Sequence, residues 1–387
     1  MSDDEKRLIT IEDLTKIKYV EDPRISPDGQ WIAYVQMNTN MMKRGYDRNV
    51  YLVATSGGKP IQLTFSGKDT TPRWSPDGNT LAFVSARNEK PQVYLLPVGR
   101  PGEARQLTKH EMGAFGPEWS PDGEWMAYFS RLNKDEMARE DNEEQADAPK
   151  DELDAKQRRE RQAEDEKQRF DPRPMERIPY RQGVSYMDDR KTQIYITRTD
   201  EGLEGDDAKP RRVTQLDTYY GALQWAPNGK TIYSTRPSDL DADEYFRYFN
   251  ATRIDVETLE ETLLADPEHG CYAIQISPDG EWLAMIRRIF GKVDTLLRLS
   301  IMKSDGSEVH DLNLELDRPI YSFQWQPEGH LMVGVATEGR IEVHQVNPQT
   351  KTFTPIMTER QSLFGFDSHE SGAIAYVSRT SERLDEL

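Results

Sequence analysis

The sequence predicts an all-β chain built as a β-propeller, and two observations carry that prediction. A short phrase, apolar residue, Ser-Pro-Asp-Gly, apolar run, recurs in six copies, four of them with that exact turn, and four strand-like segments fit into each interval between copies. The copies are RISPDGQWIAYV (24–35), RWSPDGNTLAFV (73–84), EWSPDGEWMAYF (118–129), QWAPNGKTIYST (224–235), QISPDGEWLAMI (275–286) and QWQPEGHLMVGV (324–335). Their prolines, Pro27, Pro76, Pro121, Pro227, Pro278 and Pro327, stand 49, 45, 106, 51 and 49 residues apart. A period of about 45–50 residues is that of a propeller blade.

Each copy reads as a hairpin turn. Proline presets φ at the first corner, Asp or Asn suits the second, and glycine takes the left-handed conformation that closes the loop. Period-two alternation follows, as in Leu81 and Phe83 against Ala82 and Val84. A second strand pair fills each interval: VYLVAT with PIQLT (50–64), VYLLPV with ARQLT (93–108), QIYITR with RRVTQL (193–216), TRIDVE with ETLLA (252–265), LRLSIM with VHDLNL (297–314), and IEVHQV with FTPIMT (341–358).

The expected organisation is one propeller domain over 1–387. A helical lead-in covers 8–23, and blades cover 24–64, 73–108, 118–216, 224–265, 275–314 and 324–358. Residues 363–387 hold a degenerate inner hairpin with HESG in place of the proline turn, so the propeller is expected to be seven-bladed with its last blade incomplete. The long interval contains a charged stretch at 134–177 with almost no apolar content, read as a solvated insertion that interrupts blade three between its inner and outer hairpins. Trp74, Trp119, Trp225 and Trp325 occupy one slot ahead of the turn. Repetition at one structural position predicts packing between repeat units rather than a ligand cage.

Composition narrows the function. With 50 Lys and Arg against 68 Asp and Glu, the net charge is −18, so neither nucleic acid nor an anionic membrane is an expected partner. The single cysteine, Cys271, has no disulfide mate and is read as core. The N-terminus MSDDEKRLIT is acidic and no long apolar run occurs, which suggests a cytoplasmic chain. His110, His269, His310, His330, His344 and His369 are scattered without metal-ligand spacing. The acidic stretch SDLDADEY, with Asp239, Asp241, Asp243 and Glu244, lacks the glycine and terminal glutamate of a calcium loop. No metal or cofactor is expected. No G-x-S-x-G occurs; GVSYM (183–187) has Met187 where the second glycine belongs, so Ser185 is not expected to be a nucleophile and no catalytic residue is assigned.

The opening TIEDLTKIKYVEDPRISPDGQWIAYV (10–35), with RIPYRQGVSYMDDRKTQIYI (177–196) and DADEYFRYFNATRIDVETLEETLL (241–264), resembles the prolyl oligopeptidase family, particularly its acylaminoacyl peptidase branch. The turn repeats also resemble those of TolB-like propellers. The resemblance runs from about residue 8 to the end. It implies a propeller that gates an α/β-hydrolase domain carrying a Ser-Asp-His triad, admitting short peptides through its channel. That hydrolase part is not in this sequence, so the chain alone is expected to be inactive, with the hydrolase as partner in cis or in trans. Self-association is left open. The alternative is a stand-alone TolB-like scaffold that binds a protein or peptide.

Overall fold

The computed structural model describes residues 10–141, 189–200, 209–238, 249–264, 269–289, 296–358, 361–380 and 383–387, together with a few short backbone segments between 152 and 186. Its local unit is the turn. In the first copy the Asp28 carboxylate accepts the Ser26 hydroxyl and the Gln30 amide, the Ser26 hydroxyl oxygen accepts the Trp31 amide at 3.0 Å, and the Gly29 amide closes onto the Ser26 carbonyl at 2.8 Å. The same network recurs around Ser75 and Asp77, Ser120 and Asp122, and Ser277 and Asp279. Serine and aspartate thus satisfy the backbone groups that a tight turn leaves without partners.

Each turn joins the first two strands of an antiparallel four-stranded sheet. Blade 1 is Lys18–Ile25, Trp31–Asn40, Gly45–Ala54 and Ile61–Gln62; blade 2 is Asp69–Trp74, Thr80–Ser85, Gln92–Pro97 and Arg105–Gln106. Blade 3 is Phe115–Trp119, Trp125–Leu132, Lys191–Arg198 and Arg211–Arg212; blade 4 is Leu223–Trp225, Thr231–Pro237, Phe249–Asp255 and Glu261–Leu264. Blade 5 is His269–Ile276, Trp282–Ile289, Arg298–Lys303 and His310–Asp311; blade 6 is Ile320–Trp325, Leu331–Thr337, Arg340–Asn347 and Thr352–Met357. Strands Ser362–Ser368 and Ile374–Arg379 form a two-stranded sheet. The seven-bladed expectation is therefore corrected: the described residues form six four-stranded blades, with a hairpin in the place of a seventh. The first strands nevertheless touch in a closed cycle, blade 1 through blade 6, then the hairpin, then blade 1 again.

A second correction concerns the lead-in. Among its described residues, which start at Thr10, only Ile11–Lys16 is helical, a single 3-10 stretch, and Lys18–Ile25 is already the inner strand of blade 1. The β-branched Ile17 and Val20 and the proline at 23 oppose a longer helix. Asp22, at φ +51°, sits in a bulge of that strand.

The core lies between blades, not within them. One buried cluster joins Ala33, Val50 and Leu52 of blade 1 to Leu81, Phe83 and Tyr94 of blade 2, and comparable clusters fill the seams from blade 2 round to the terminal hairpin. Each strand alternates apolar residues towards both neighbours, so one blade cannot bury its faces alone. The expected insertion starts as a helix, Lys134–Asp141, with Met137 buried, Glu136 paired with Arg190 at 2.6 Å, and Glu140 accepting the Tyr195 hydroxyl at 2.8 Å. It departs between Trp125–Leu132 and Lys191–Arg198, which pair with each other along their whole length. Most of 142–188 lies outside the described residues.

Candidate functional site

The tryptophans lead to the site. Trp74 donates its indole N–H to the Arg24 carbonyl at 3.0 Å, Trp119 to Arg73 at 3.1 Å, Trp225 to Glu118 at 3.3 Å, and Trp325 to Gln275 at 3.0 Å. Each indole therefore packs in a seam and bonds the preceding blade, as an indole buried with a polar edge should. The accepting residues all occupy the position directly ahead of the tryptophan slot. That position carries Arg24, Arg73, Glu118, Gln224, Gln275, Gln324 and, in the hairpin, Asp367.

Seven side chains from one slot on seven inner strands make an axial ring, and some neighbours in it are bonded directly or through a shared residue. The carboxylate of Asp22 is shared by Arg24, at 2.7 Å, and Arg73, at 2.8 Å. Gln224 donates to Glu118 at 3.2 Å, Gln324 donates to Asp367 at 2.8 Å, and the Gln275 side-chain oxygen accepts the Trp325 amide at 2.8 Å. Asp367 also accepts the Ile25 amide at 2.7 Å and lies 4.0 Å from Arg24. Arg24 and Glu118, two blades apart, still sense each other's charge, which is what a shared axis requires.

The electrostatics of the ring are uneven. Burial pushes the Glu118 carboxyl above its ordinary value, and Arg73 and Arg24 offset only part of that rise. Burial acts in the same direction on Asp22, but Arg73 and Arg24 together outweigh it and hold Asp22 below the usual carboxylate range. Two cations thus stand on the blade 1 and 2 side, a carboxyl with a raised pKa at blade 3, and three amides from blade 4 to blade 6. All but Asp367 keep partial solvent access. The arrangement gathers hydrogen-bond donors and acceptors around the axis, and its seven residues include no nucleophile.

The residues weighed in the sequence are placed elsewhere. Cys271 is buried, and burial pushes its thiol up to about 12. His110 is half-buried in the connection between blades 2 and 3, its Nδ1 2.8 Å from the Ser130 hydroxyl oxygen, and that burial lowers it to about 4; Ser130 spends its proton on the Gly113 carbonyl at 2.6 Å. His344 contacts Glu342 at 3.2 Å in blade 6, and His369 lies in the hairpin turn with Nε2 2.9 Å from the Pro27 carbonyl. His310 lies beside the Trp282 ring in blade 5, and His330 follows the turn of blade 6. Ser185 falls in a short strand pair with Arg181–Gln182; its side chain, that of His269, and Asp239, Asp241, Asp243 and Glu244 lie outside the described residues. Among the described residues no group of three or more His, Cys, Asp or Glu could hold a metal ion, and no helix is long and apolar enough to cross a membrane. The ring itself escaped the sequence reading, although its signal was present: a polar residue precedes the tryptophan slot in all six copies of the turn.

The TolB beta propeller domain model matches residues 10–148. That stretch carries TolB-like propeller repeats. Over 114 residues the chain is 42% identical to the uncharacterized peptidase YuxL of Bacillus subtilis, a stretch that covers 29% of the chain and 17% of YuxL. It superposes on the Pyrococcus horikoshii acylaminoacyl peptidase with a TM-score of 0.70 at 19% identity, covering 96% of this chain and 51% of that one. The β-propeller domain of the Trilobed protease from Pyrococcus furiosus, described as having an open velcro topology, gives 0.63 at 17% identity, with 95% and 94% covered. The chain thus spans about half the length of the acylaminoacyl peptidase it resembles. At these identities the likeness to solved structures is one of fold.

Proposed function

We infer that this propeller is the substrate-admitting part of an acylaminoacyl-peptidase-like or prolyl-oligopeptidase-like serine peptidase of the cytoplasm, acting on short peptides near a terminus, with catalysis supplied by an α/β-hydrolase domain in cis or in trans. The observation that carries this reading is coverage: 96% of the chain matches only 51% of a peptidase of known structure, which leaves a domain-sized remainder for the chemistry. The axial ring supports it, because partly exposed amides and guanidinium groups gathered on one axis offer hydrogen bonds to an extended peptide.

The test is the intact mass of the native product isolated from its source cell with an antibody to the propeller. A mass above 44.7 kDa by about the size of a hydrolase domain, or a serine hydrolase that co-purifies, is the expected result. A product ending at Leu387 with no hydrolase bound to it overturns the reading and leaves a binding scaffold of the TolB kind.

A further inference from the structure

One acid on the axis is left without a cation. Asp22 is shared by Arg24 and Arg73, and Asp367 accepts the Ile25 amide and Gln324 and lies 4.0 Å from Arg24. The Glu118 side chain accepts only Gln224, at 3.2 Å; among the described residues no guanidinium or ammonium comes within ion-pair distance of it, and Arg73 and Arg24 act on it only through space. Two guanidinium groups thus stand with three carboxyl groups around the axis, so the fully ionised set is one positive charge short of neutrality.

The two amides that follow Glu118 round the axis are half-used. Among the described residues Gln224 spends its nitrogen on Glu118 and leaves its oxygen without a donor, and Gln275 spends its oxygen on the Trp325 amide and leaves its nitrogen without an acceptor. Gln324, by contrast, uses both ends, donating to Asp367 and accepting the Ser368 hydroxyl at 2.8 Å. Blades 3, 4 and 5 therefore offer, in order, a carboxyl oxygen, an amide oxygen and an amide nitrogen, all on partly exposed side chains. Two acceptors followed by a donor complement an ammonium followed by a carbonyl, which is the chemistry of the amino end of a peptide.

We propose that Glu118, Gln224 and Gln275 form a binding site on the axis for the free amino terminus of an extended peptide, with the ammonium on Glu118 and Gln224 and the first carbonyl on Gln275. The inference rests on the reading that a peptide enters the axis, and among such peptides it selects those whose amino end is unblocked. The charges that bear on Glu118 are those of Arg73 and Arg24; both are engaged by Asp22, and Arg24 also lies near Asp367, so an arriving ammonium meets the one uncompensated acid. Keeping that carboxyl buried without a cation costs stability, and groups held at such a cost concentrate at binding sites.

The probes are a glycine-alanine pentapeptide amide with a free amino end, the same peptide N-acetylated, and an acetylated version carrying one lysine, each titrated into the full chain by calorimetry. At pH 7 the free-amine peptide is expected to bind about tenfold more tightly than its acetylated twin. Glu118→Gln should erase that preference and leave the affinity for the acetylated peptide unchanged, which also shows that the variant is folded. In the parent chain the preference should decline on both sides, at low pH as Glu118 takes up its proton and above about pH 8 as the amine loses one. Equal binding of the free and acetylated peptides, or no binding of either, overturns the proposal and leaves the peptidase reading to the mass of the native product. A preference that survives in Glu118→Gln overturns it too, since the ammonium would then sit at Asp22 or Asp367. If the acetylated lysine peptide binds as tightly as the free-amine peptide, the site belongs to lysine side chains and the N-terminal assignment fails.

Discussion

Trp325 meets Gln275 twice across one seam: its backbone amide donates to the Gln275 side-chain oxygen at 2.8 Å, and its indole nitrogen donates to the Gln275 carbonyl at 3.0 Å. One residue of the axial ring is thereby tied to the packing residue of the next blade. Replacing Trp325 by Phe keeps most of the apolar volume and removes one bond, so the expected loss is about 1 kcal/mol. Gln275→Ala removes the acceptor of a backbone amide and is expected to cost about 1–3 kcal/mol. Urea unfolding of the two variants and their combination measures both, and a combined loss below the sum is expected because the residues share a seam.

The seam that closes the ring is tested at Gly29. Its φ is +71°, and an added Cβ would lie 2.9 Å from two atoms of the His369 ring, which occupies the space where Pro27, Pro76 and Pro227 sit against Gly78, Gly123 and Gly280. Gly329 has a similar φ, +80°, with nothing within 4 Å of its added Cβ. Gly329→Ala is expected to cost about 1–2 kcal/mol of backbone strain, and Gly29→Ala about 1–3 kcal/mol more. In a His369→Ala background the excess at Gly29 should vanish. An excess that persists would mean that His369 does not hold the closing seam.

These two seams show which parts of the fold could be read in the sequence. The turn and its flanking strands are local: Ser75, Pro76, Asp77 and Gly78 contain the whole network, so six repeats were legible, and the spacing from Pro121 to Pro227 located the interruption of blade three. The lead-in was expected to be helical over 8–23, but its continuation is decided by pairing of Lys18–Ile25 with Trp31–Asn40, which lies outside the segment itself. The ring was not read because Arg24 and Glu118 acquire meaning only from neighbours across the axis, and no local periodicity records that. Nothing local to His369 records its contact with Gly29 either; only the closed cycle brings the two together.

Acid should weaken the turns in a defined direction. Asp28, Asp77, Asp122 and Asp279 are each held below the ordinary carboxylate value, first by the hydroxyl of the serine two residues earlier and also by a backbone amide two residues on. A folded pKa below the unfolded one means that the unfolded chain binds the extra protons, so this contribution is complete above the ordinary aspartate value and is lost as pH falls through the folded values. Asn228 already shows that an amide can serve, since its side-chain oxygen accepts the Lys230 amide at 2.9 Å. Replacing the four aspartates by Asn is therefore expected to preserve the fold and flatten the stability profile below about pH 4. A profile as steep as that of the parent chain would place the acid sensitivity elsewhere.

Glu118 should behave in the opposite sense. Burial raises its folded pKa despite Arg73 and Arg24, so the folded state holds the proton more tightly than the unfolded chain does. Its contribution to stability is then fully present below the ordinary glutamate value and falls as pH rises through the raised one. Glu118→Gln removes the ionisation while leaving an oxygen to accept Gln224, whose present bond is 3.2 Å. The variant is expected to match the parent near pH 4 and to be more stable at pH 7, by about 1 kcal/mol for each unit by which the pKa is raised. Urea unfolding at the two pH values decides it. A variant less stable than the parent at pH 7 would show that the charge of Glu118 is needed to hold Arg73 and Arg24 in the ring, and that the carboxylate, not the acid, is the form the fold selects.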